Sequence, residues 1–306
     1  MRILITGTGG LLGSNLALEA ASAHTVFGVA RSCPQKTEAF TPVVADLLDP
    51  GVMERILDET QPDWVIHCAA QANVDACEHD PENARELNTE MPRKLAQLVA
   101  RGGARLLHVS TDAVFDGHKG EYSENDLPNP VNVYAKTKLD GEYAVLEEAP
   151  QAIVARINIF GWSPTGKRSL AEFFFNNFDA GNQMRGFTDV YFCPILVNDL
   201  AGIFFQMLEK GLSGLYHVVG SESINKYDFA VAIANRFGFD VDLITPMSVT
   251  QSGLKAVRSP QLTLKVDKLI HDLGIVPPGI SPAIDRFYTL YQQGYPQTVQ
   301  SLCIDS

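Results

Sequence analysis

Three groups of residues in this 306-residue chain have types and spacing that suit chemistry. The first is a tyrosine and a lysine four positions apart, in Tyr134-Ala135-Lys136-Thr137-Lys138. On a helix that spacing puts both side chains on one face, one turn apart. A phenol with a reference pKa of about 10 is a poor proton shuttle at neutral pH. An ammonium one turn away stabilises the phenolate and brings it toward working pH. The second group is Ser110-Thr111, at the end of an apolar run, where a hydroxyl can hold a carbonyl against the tyrosine. The third is Gly7-Thr8-Gly9-Gly10-Leu11-Leu12-Gly13, directly after the strand-like Arg2-Ile3-Leu4-Ile5-Thr6. A tight turn after a strand, a bare backbone, and a helix whose free N–H groups face an anion together make a phosphate cradle. Each signal alone is weak. Glycine turns also cap ordinary helices, Ser-Thr-Asp also terminates strands, and Y-x-x-x-K is also a common surface pair. Their joint occurrence, in this order, makes the case.

The elements that must position these groups alternate along the chain. Apolar runs at 2–6, 25–30, 42–46, 63–69, 105–109 and 152–157 read as strands. Amphipathic segments at about 51–60, 81–101 and 133–146 read as helices between them. Continuous apolar strands alternating with helices predict an α/β fold, a doubly wound parallel sheet covered on both faces. Ligands then sit beyond the carboxyl ends of the strands. From about Gly161 the strands shorten, and helices over 197–210 and 226–237 are separated by Gly/Pro turns. The expected organisation is a dinucleotide-binding domain over 1–160 and a smaller α/β substrate-binding lobe over 161–306, with interleaved segments allowed.

Composition narrows the partners. A net charge of −12 without a Lys/Arg-rich stripe argues against nucleic acid. An acidic chain can still bind an anionic ligand through backbone amides and one or two arginines. The apolar runs are too short to span a membrane, and because Met1-Arg2 leads straight into a strand no signal peptide is expected. Five cysteines, an odd number with no C-x-x-C spacing, fit a reducing compartment, so a cytoplasmic location is expected. The seven histidines show no H-x-x-x-H or H-x-E spacing, so no metal site is expected, and His67 and His108 read as satisfied core histidines.

The end of the second strand bears on the cofactor. Sites that prefer NAD place an Asp or Glu there, whereas this chain has Ala30-Arg31-Ser32. An arginine offers a planar, permanently charged fork to a 2′-phosphate, and Ser32 adds a hydroxyl. NADP(H) is the expected cofactor, with NAD(H) as the alternative.

These motifs recur in a known family. The chain resembles the extended short-chain dehydrogenase/reductases, and within them the dTDP-4-dehydrorhamnose reductase branch. The resemblance runs through Thr6–Gly13, Cys68–Glu78, Ser110–Gly117 and Pro130–Glu142, then Arg156–Gly161, Val197–Ala201 and Ser223–Ala230. It implies that Tyr134 is the catalytic acid, Lys138 its partner and Thr111 the hydroxyl that orients the carbonyl. It further implies that Gly7, Gly10 and Gly13 hold a pyrophosphate, with Leu11 and Leu12 packing beneath. By the same resemblance Asp46-Leu47 contact an adenine and Ala69-Ala70 lie along the cofactor. Asn158 falls near a substrate diphosphate, and Ser110, Arg156 and Arg185 are further substrate-side candidates. The implied activity is NADPH-dependent reduction of a nucleotide-activated 4-keto (6-deoxy) sugar, as in dTDP-rhamnose biosynthesis, by a protein for which a homodimer is allowed.

The sequence also departs from the family. Ala69-Ala70-Gln71-Ala72 stands for Ala-Ala-Tyr-Thr, Phe187–Ile195 lacks the usual Gly-x-Pro-Thr, and Leu264-Lys265-Val266-Asp267-Lys268-Leu269 replaces Leu-Asp-x-x-Lys-Leu. All three changes fall where sugar and base would be read. Two alternatives stay open. One is a nucleotide-sugar epimerase or dehydratase, although Thr111 is followed by Asp112-Ala113 where dehydratases often carry Asp-Glu. The other is a non-catalytic, NADP-binding regulatory protein of the same branch.

Overall fold

Runs of Ile, Leu and Val bounded by Gly, Thr and His form seven strands. They are β1 (Arg2–Thr6), β2 (Thr25–Ala30), β3 (Thr41–Val44), β4 (Trp64–His67), β5 (Arg105–Thr111), β6 (Ile153–Ile157) and β7 (Gly214–His217). The structure, a computed structural model, describes residues 1–32, 37–251 and 259–303. The strands make one sheet in the order β7-β6-β5-β4-β1-β2-β3, every neighbouring pair parallel. The order reverses between β1 and β4. A crevice therefore opens at the carboxyl ends of these strands, where Gly7 and Cys68 follow.

Helices cover both faces, so the central strands are buried on both sides. Ile3 and Ile5 join the core beneath helices Leu11–Ala21 and Val197–Glu209. Leu4 joins the opposite core, beneath Val52–Thr60, Met91–Gly102 and Val133–Glu148. This is the period-two alternation of a strand. No helix among the described residues is long and apolar enough to cross a membrane.

The structure differs from the sequence reading in three places. First, β7 and the Val197–Glu209 helix lie past residue 161, yet they complete the sheet and pack on the Leu11–Ala21 helix. The four residues of β7 are too few for periodicity to distinguish from a lobe strand. Second, the helix read over 81–101 is three pieces: Pro81–Arg85, a π-helical turn at Glu86–Glu90, and Met91–Gly102. Pro92 has no N–H to offer the carbonyl of Asn88 four residues back, which the wider turn accommodates. Third, a short helix at Val74–His79, capped by the Asn73 side chain, occupies a stretch to which the sequence reading assigned no element.

Beyond the sheet, aromatic side chains make a second core. Trp162 stacks on Phe287 at 4.1 Å, with Phe160, Phe174, Phe178 and Phe229 around them. Short strand pairs lie alongside: Met184–Phe187 runs parallel to Ile244–Met247, and Tyr191–Phe192 is flanked by Ile224–Asn225 and Gln261–Leu262. Cys68, Cys77 and Cys193 are free thiols. Cys303 is disulfide-bonded.

Candidate active site

The glycine turn is built from contacts that no other residue permits. Gly7 has φ +77°, and a Cβ there would lie 2.8 Å from the Ala69 nitrogen. A Cβ on Gly13 would lie 2.4 Å from the Gly7 carbonyl oxygen. The turn is pinned to β2 by the Gly7 and Thr8 N–H groups, both donating to the Val29 carbonyl. It is tied to the end of β4 by Thr6, whose Oγ1 accepts from the Cys68 and Ala69 N–H groups. Leu11 and Leu12 are buried beneath it. Thr8 Oγ1 is buried at the turn without a hydrogen-bond partner. A bare backbone loop before a helix N-terminus, with an unpartnered hydroxyl, fits a dinucleotide pyrophosphate.

Around this cradle lie the other expected cofactor residues. Arg31 and Ser32 are exposed just past β2. Asp46 follows β3 and accepts from the Leu48 N–H, while Leu47 packs on the sheet core. Ala69 and Ala70 follow β4, with Ala70 exposed.

The Tyr134 helix, Val133–Glu148, starts where Asn132 accepts from the Ala135 N–H. The sequence reading did not anticipate what holds this helix. A Cβ on Gly141 would lie 2.2 Å from the Asn88 carbonyl oxygen, the group that Pro92 leaves without an i+4 donor. Asn88 Nδ2 donates to Thr137 Oγ1 and to the Gln71 carbonyl, while its Oδ1 accepts from the Gln71 N–H. Thr89 Oγ1 donates to the Thr137 carbonyl. The π turn thus ties the segment after β4 to the helix that carries the tyrosine. A glycine within a helix and a proline a few residues after an asparagine were the available signals.

At the end of β5, adjacent side chains point to opposite faces, and the expected Ser110-Thr111 pair splits. Thr111 turns to the Tyr134 side, where its Oγ1 donates to Asp112 Oδ1 and accepts from the Ala113 N–H. Ser110 turns inward and donates to Glu142 Oε1 at 2.5 Å. Glu142 is bound by Arg156, which lies 2.7 Å from Oε2 and 4.9 Å from the Phe115 ring centroid. Ser110, Glu142 and Arg156 are each at most 3 % exposed. They form a closed network, and the expectation that Ser110 and Arg156 meet substrate is corrected on that ground. Arg185 lies exposed on Met184–Phe187, with Met247 Sδ 3.8 Å from its guanidinium, and is not joined to the Thr111–Tyr134 group.

Asn158 is also already engaged: its Nδ2 donates to Asp112 Oδ2 at 2.5 Å rather than standing open to a diphosphate. Asp112, which the sequence reading treated only as half of a dehydratase pair, is a buried member of the site. Its Oδ1 accepts from Thr111 Oγ1 at 3.2 Å. Burial pushes its carboxyl up to about 6, opposed by bonds from Asn158 and Thr111 and by the charge of Lys226.

Lys138 is buried and donates to the Val109 carbonyl at 2.6 Å, with His108 Nε2 at 3.5 Å. Burial lowers its ammonium to about 8, opposed by Glu142. Tyr134 moves opposite to expectation. Burial pushes the half-buried phenol up to about 12, and the Asp112 charge adds to the rise. The lysine is one turn away, but its ammonium is committed to the end of β5. Beneath it His67 and His108 stack at 5.3 Å, and each leaves one ring nitrogen unpartnered, so they are only half satisfied. Among the described residues no cluster of three or more His, Cys, Asp or Glu could hold a metal ion.

Comparison with known proteins agrees with this architecture. The family model described as the RmlD substrate binding domain matches residues 1–293. Methionine adenosyltransferase 2 subunit beta of Mus musculus is 34% identical over 270 residues, 85% of this chain and 78% of that one. The probable low-salt glycan biosynthesis reductase Agl14 of Haloferax volcanii is 31% identical over 290 residues, covering 91% and 94%. Among solved structures, dTDP-4-dehydrorhamnose reductase from Bacillus anthracis in complex with NADP superposes with a TM-score of 0.81 at 25% identity, covering 94% and 98%. With its parallel sheet, glycine cradle and Thr111/Tyr134/Lys138 set, this chain belongs to the RmlD substrate binding domain family, the dTDP-4-dehydrorhamnose reductase branch of the extended short-chain dehydrogenase/reductases.

Proposed function

We propose that this chain is an NADPH-dependent reductase of a nucleotide-activated 4-keto (6-deoxy) sugar, working in the cytoplasm. The observation that carries the reading is Tyr134 and Lys138 one turn apart on Val133–Glu148, with Lys138 bound to the Val109 carbonyl at the end of β5, in a fold whose turn after β1 only glycine permits. Reduction of a ketone needs a proton donor at the carbonyl oxygen, and a phenol pushed to about 12 still carries its proton at neutral pH. A bound nicotinamide supplies the hydride.

The chain's own residues do the rest. Gly7, Gly10 and Gly13 present backbone to the pyrophosphate, with Leu11 and Leu12 beneath. Arg31 and Ser32 receive a 2′-phosphate, which is why NADP(H) is preferred over NAD(H). Asp46 and Leu47 border the adenine, and Ala69 and Ala70 line the path to the nicotinamide. Lys138 binds the nicotinamide ribose with an ammonium proton that it does not give to the Val109 carbonyl. Tyr134 gives its proton to the substrate oxygen, and Thr111 sits beside that oxygen. The lobe beyond 161 covers the nucleotide.

A second reading is a non-catalytic regulatory subunit, favoured by the 34% identity to a protein named as a subunit of methionine adenosyltransferase 2. Both readings are tested by following NADPH and NADH oxidation with dTDP-, UDP-, GDP- and CDP-linked 4-keto sugars. The reductase reading expects NADPH consumption with one of them, and a Tyr134→Phe variant that is slower by about 10²-fold or more with its NADPH-induced thermal shift intact. No oxidation with any sugar, and no nucleotide-induced thermal shift although NADPH gives one, favours the regulatory reading.

A further inference from the structure

The carboxyl edge of the sheet carries a row of polar side chains, of which the reaction above uses Lys138 alone. Thr6, His67 and His108 are successive cross-strand partners on β1, β4 and β5, and Lys138 closes the row from its helix. All four are at most 3 % exposed. Their hydrogen bonds fix where each proton lies. Thr6 Oγ1 accepts from the Cys68 and Ala69 N–H groups, so its single proton goes to His67 Nδ1 at 2.7 Å. His67, held neutral by burial, then carries its own proton on Nε2. At the other end Lys138, at about 8, is an ammonium at neutral pH, and an ammonium only donates. Its Nζ lies 3.5 Å from His108 Nε2, which must therefore accept, and the proton of the neutral His108 ring sits on Nδ1. The opposite form would set N–H against N–H. Neither His67 Nε2 nor His108 Nδ1 has a hydrogen-bond partner among the described residues. Two rings stacked at 5.3 Å thus carry their protons on opposite nitrogens.

We propose that His108 is a positioning residue for Lys138: it accepts one ammonium proton at Nε2 while the Val109 carbonyl takes a second, and so leaves a single proton, fixed in direction, for the cofactor ribose. A tetrahedral ammonium has three protons, and two held directions determine the third. Held by Val109 alone, it would turn about that one bond, and a ligand would have to stop the rotation on binding. The arrangement costs two buried N–H groups without partners, one on each ring. Thr6 ties the same row to the cofactor path, because its oxygen holds the Cys68 and Ala69 N–H groups. The use of the third proton rests on the reductase reading. The row of bonds exists without cofactor or substrate.

The test reads the ring protons of the full-length protein labelled with 15N-histidine, at neutral pH and without ligand. Couplings to the ring carbon protons show which nitrogen is protonated, and His67→Asn and His108→Gln assign the two rings. His108 should carry its proton on Nδ1 and His67 on Nε2. Lys138→Met, which removes the donor, should shift the His108 Nε2 resonance, and it supplies the assignment if His108→Gln does not fold. A His108 proton on Nε2 in the wild type, or a Lys138→Met protein in which no histidine nitrogen moves, would overturn the proposal. The second readout is the Kd for NADPH. His108→Leu, which cannot accept, should weaken NADPH by about 3- to 10-fold, the range of one net hydrogen bond. His108→Gln, whose amide oxygen can accept from the ammonium, should recover most of that loss. A structural role alone would lower the denaturation midpoint of both variants without separating their affinities, so equal Kd values for the two would also overturn it. Neither readout needs a sugar substrate. The expected ring protons and Kd values without turnover of any nucleotide sugar would therefore count against the reductase reading while supporting the role of His108.

Discussion

The Tyr134 helix and the 184–195 segment of the lobe are held by different means. The helix is locked by buried polar bonds and by backbone approach: Asn88 and Thr89 bind Thr137, Glu142 binds Ser110 and Arg156, and Gly141 leaves no space over the Asn88 carbonyl. The lobe segment is held by apolar burial of Met184, Phe192, Cys193 and Ile195, by short strand pairing and by the Asp189 carboxylate. Asp189 accepts from Ser248 Oγ and the Val249 N–H, and the Thr188 N–H reaches the Met247 carbonyl. A side chain changed in the first region strands a buried partner. One changed in the second mostly alters apolar packing, since Met184, Val190, Phe192, Cys193 and Ile195 are all buried. A change in the first region therefore leaves a polar group without its partner, and a change in the second leaves a gap in packing.

The comparison breaks most readily at Arg156. If the helix depends on its buried pair, Arg156→Ala leaves Glu142 charged and unpaired in the core, at a cost of about 3–5 kcal/mol in chemical denaturation. Replacing both residues together, Arg156→Met with Glu142→Leu, should recover much of that loss, because an apolar pair leaves no charge stranded. A single-variant cost under about 1 kcal/mol, the range of a surface pair, would show that the network does not secure the helix.

Acid should act on the same region through its histidines. Burial holds His67 and His217 at about 3 and His108 well below its ordinary 6.5, with Lys138 or Arg156 adding to the effect. The unfolded chain therefore binds protons that the folded one refuses. The stability these groups contribute is full above 6.5 and is lost as pH falls toward 3, at up to about 1.4 kcal/mol per pH unit for each. Asp112 runs the other way: its folded carboxyl is raised, so its contribution is present below the ordinary carboxylate range and lost as pH rises through about 6. Three groups oppose one, and denaturation midpoints should fall from pH 7 to pH 5. His67→Asn should flatten that fall, while Asp112→Asn should steepen it by removing the opposing group. A midpoint constant over this range would contradict the burial of the three rings.

Much of the sheet and its ligand edge was legible because its signals are local. Arg2–Gly13 declares a strand, a turn and a helix within a dozen residues, and Tyr134 and Lys138 share a helix face by spacing alone. What escaped depends on contacts distant in sequence. Nothing near Gly214 says that four residues will join β6, and nothing near Asn88 says that its carbonyl will meet Gly141. Ser110 and Arg156 were misplaced for a simpler reason. Adjacent strand residues face opposite ways, so only one of Ser110 and Thr111 can meet the ligand, and an arginine in the middle of a buried strand needs an acid, found here one helix away. Asp112 and Asn158 were read separately, and the bond between them changes what each can do.

The smallest effect is expected at Arg185, on the exposed side of Met184–Phe187. Among the described residues its guanidinium has the Met247 sulfur at 3.8 Å and no ion pair. Surface substitutions of this kind change stability by about 0.5 kcal/mol or less, so Arg185→Ala should denature like the wild type. It should also keep the thermal shift that the correct nucleotide gives in the presence of NADPH, since nothing joins this side chain to the Thr111–Tyr134 group. The two measurements together are informative in a way neither is alone. A variant with wild-type stability that loses the nucleotide shift would place Arg185 at the ligand. The lobe segment would then carry a binding charge at its surface, and the contrast with Arg156, whose charge is spent inside the fold, would be one of function as well as of packing.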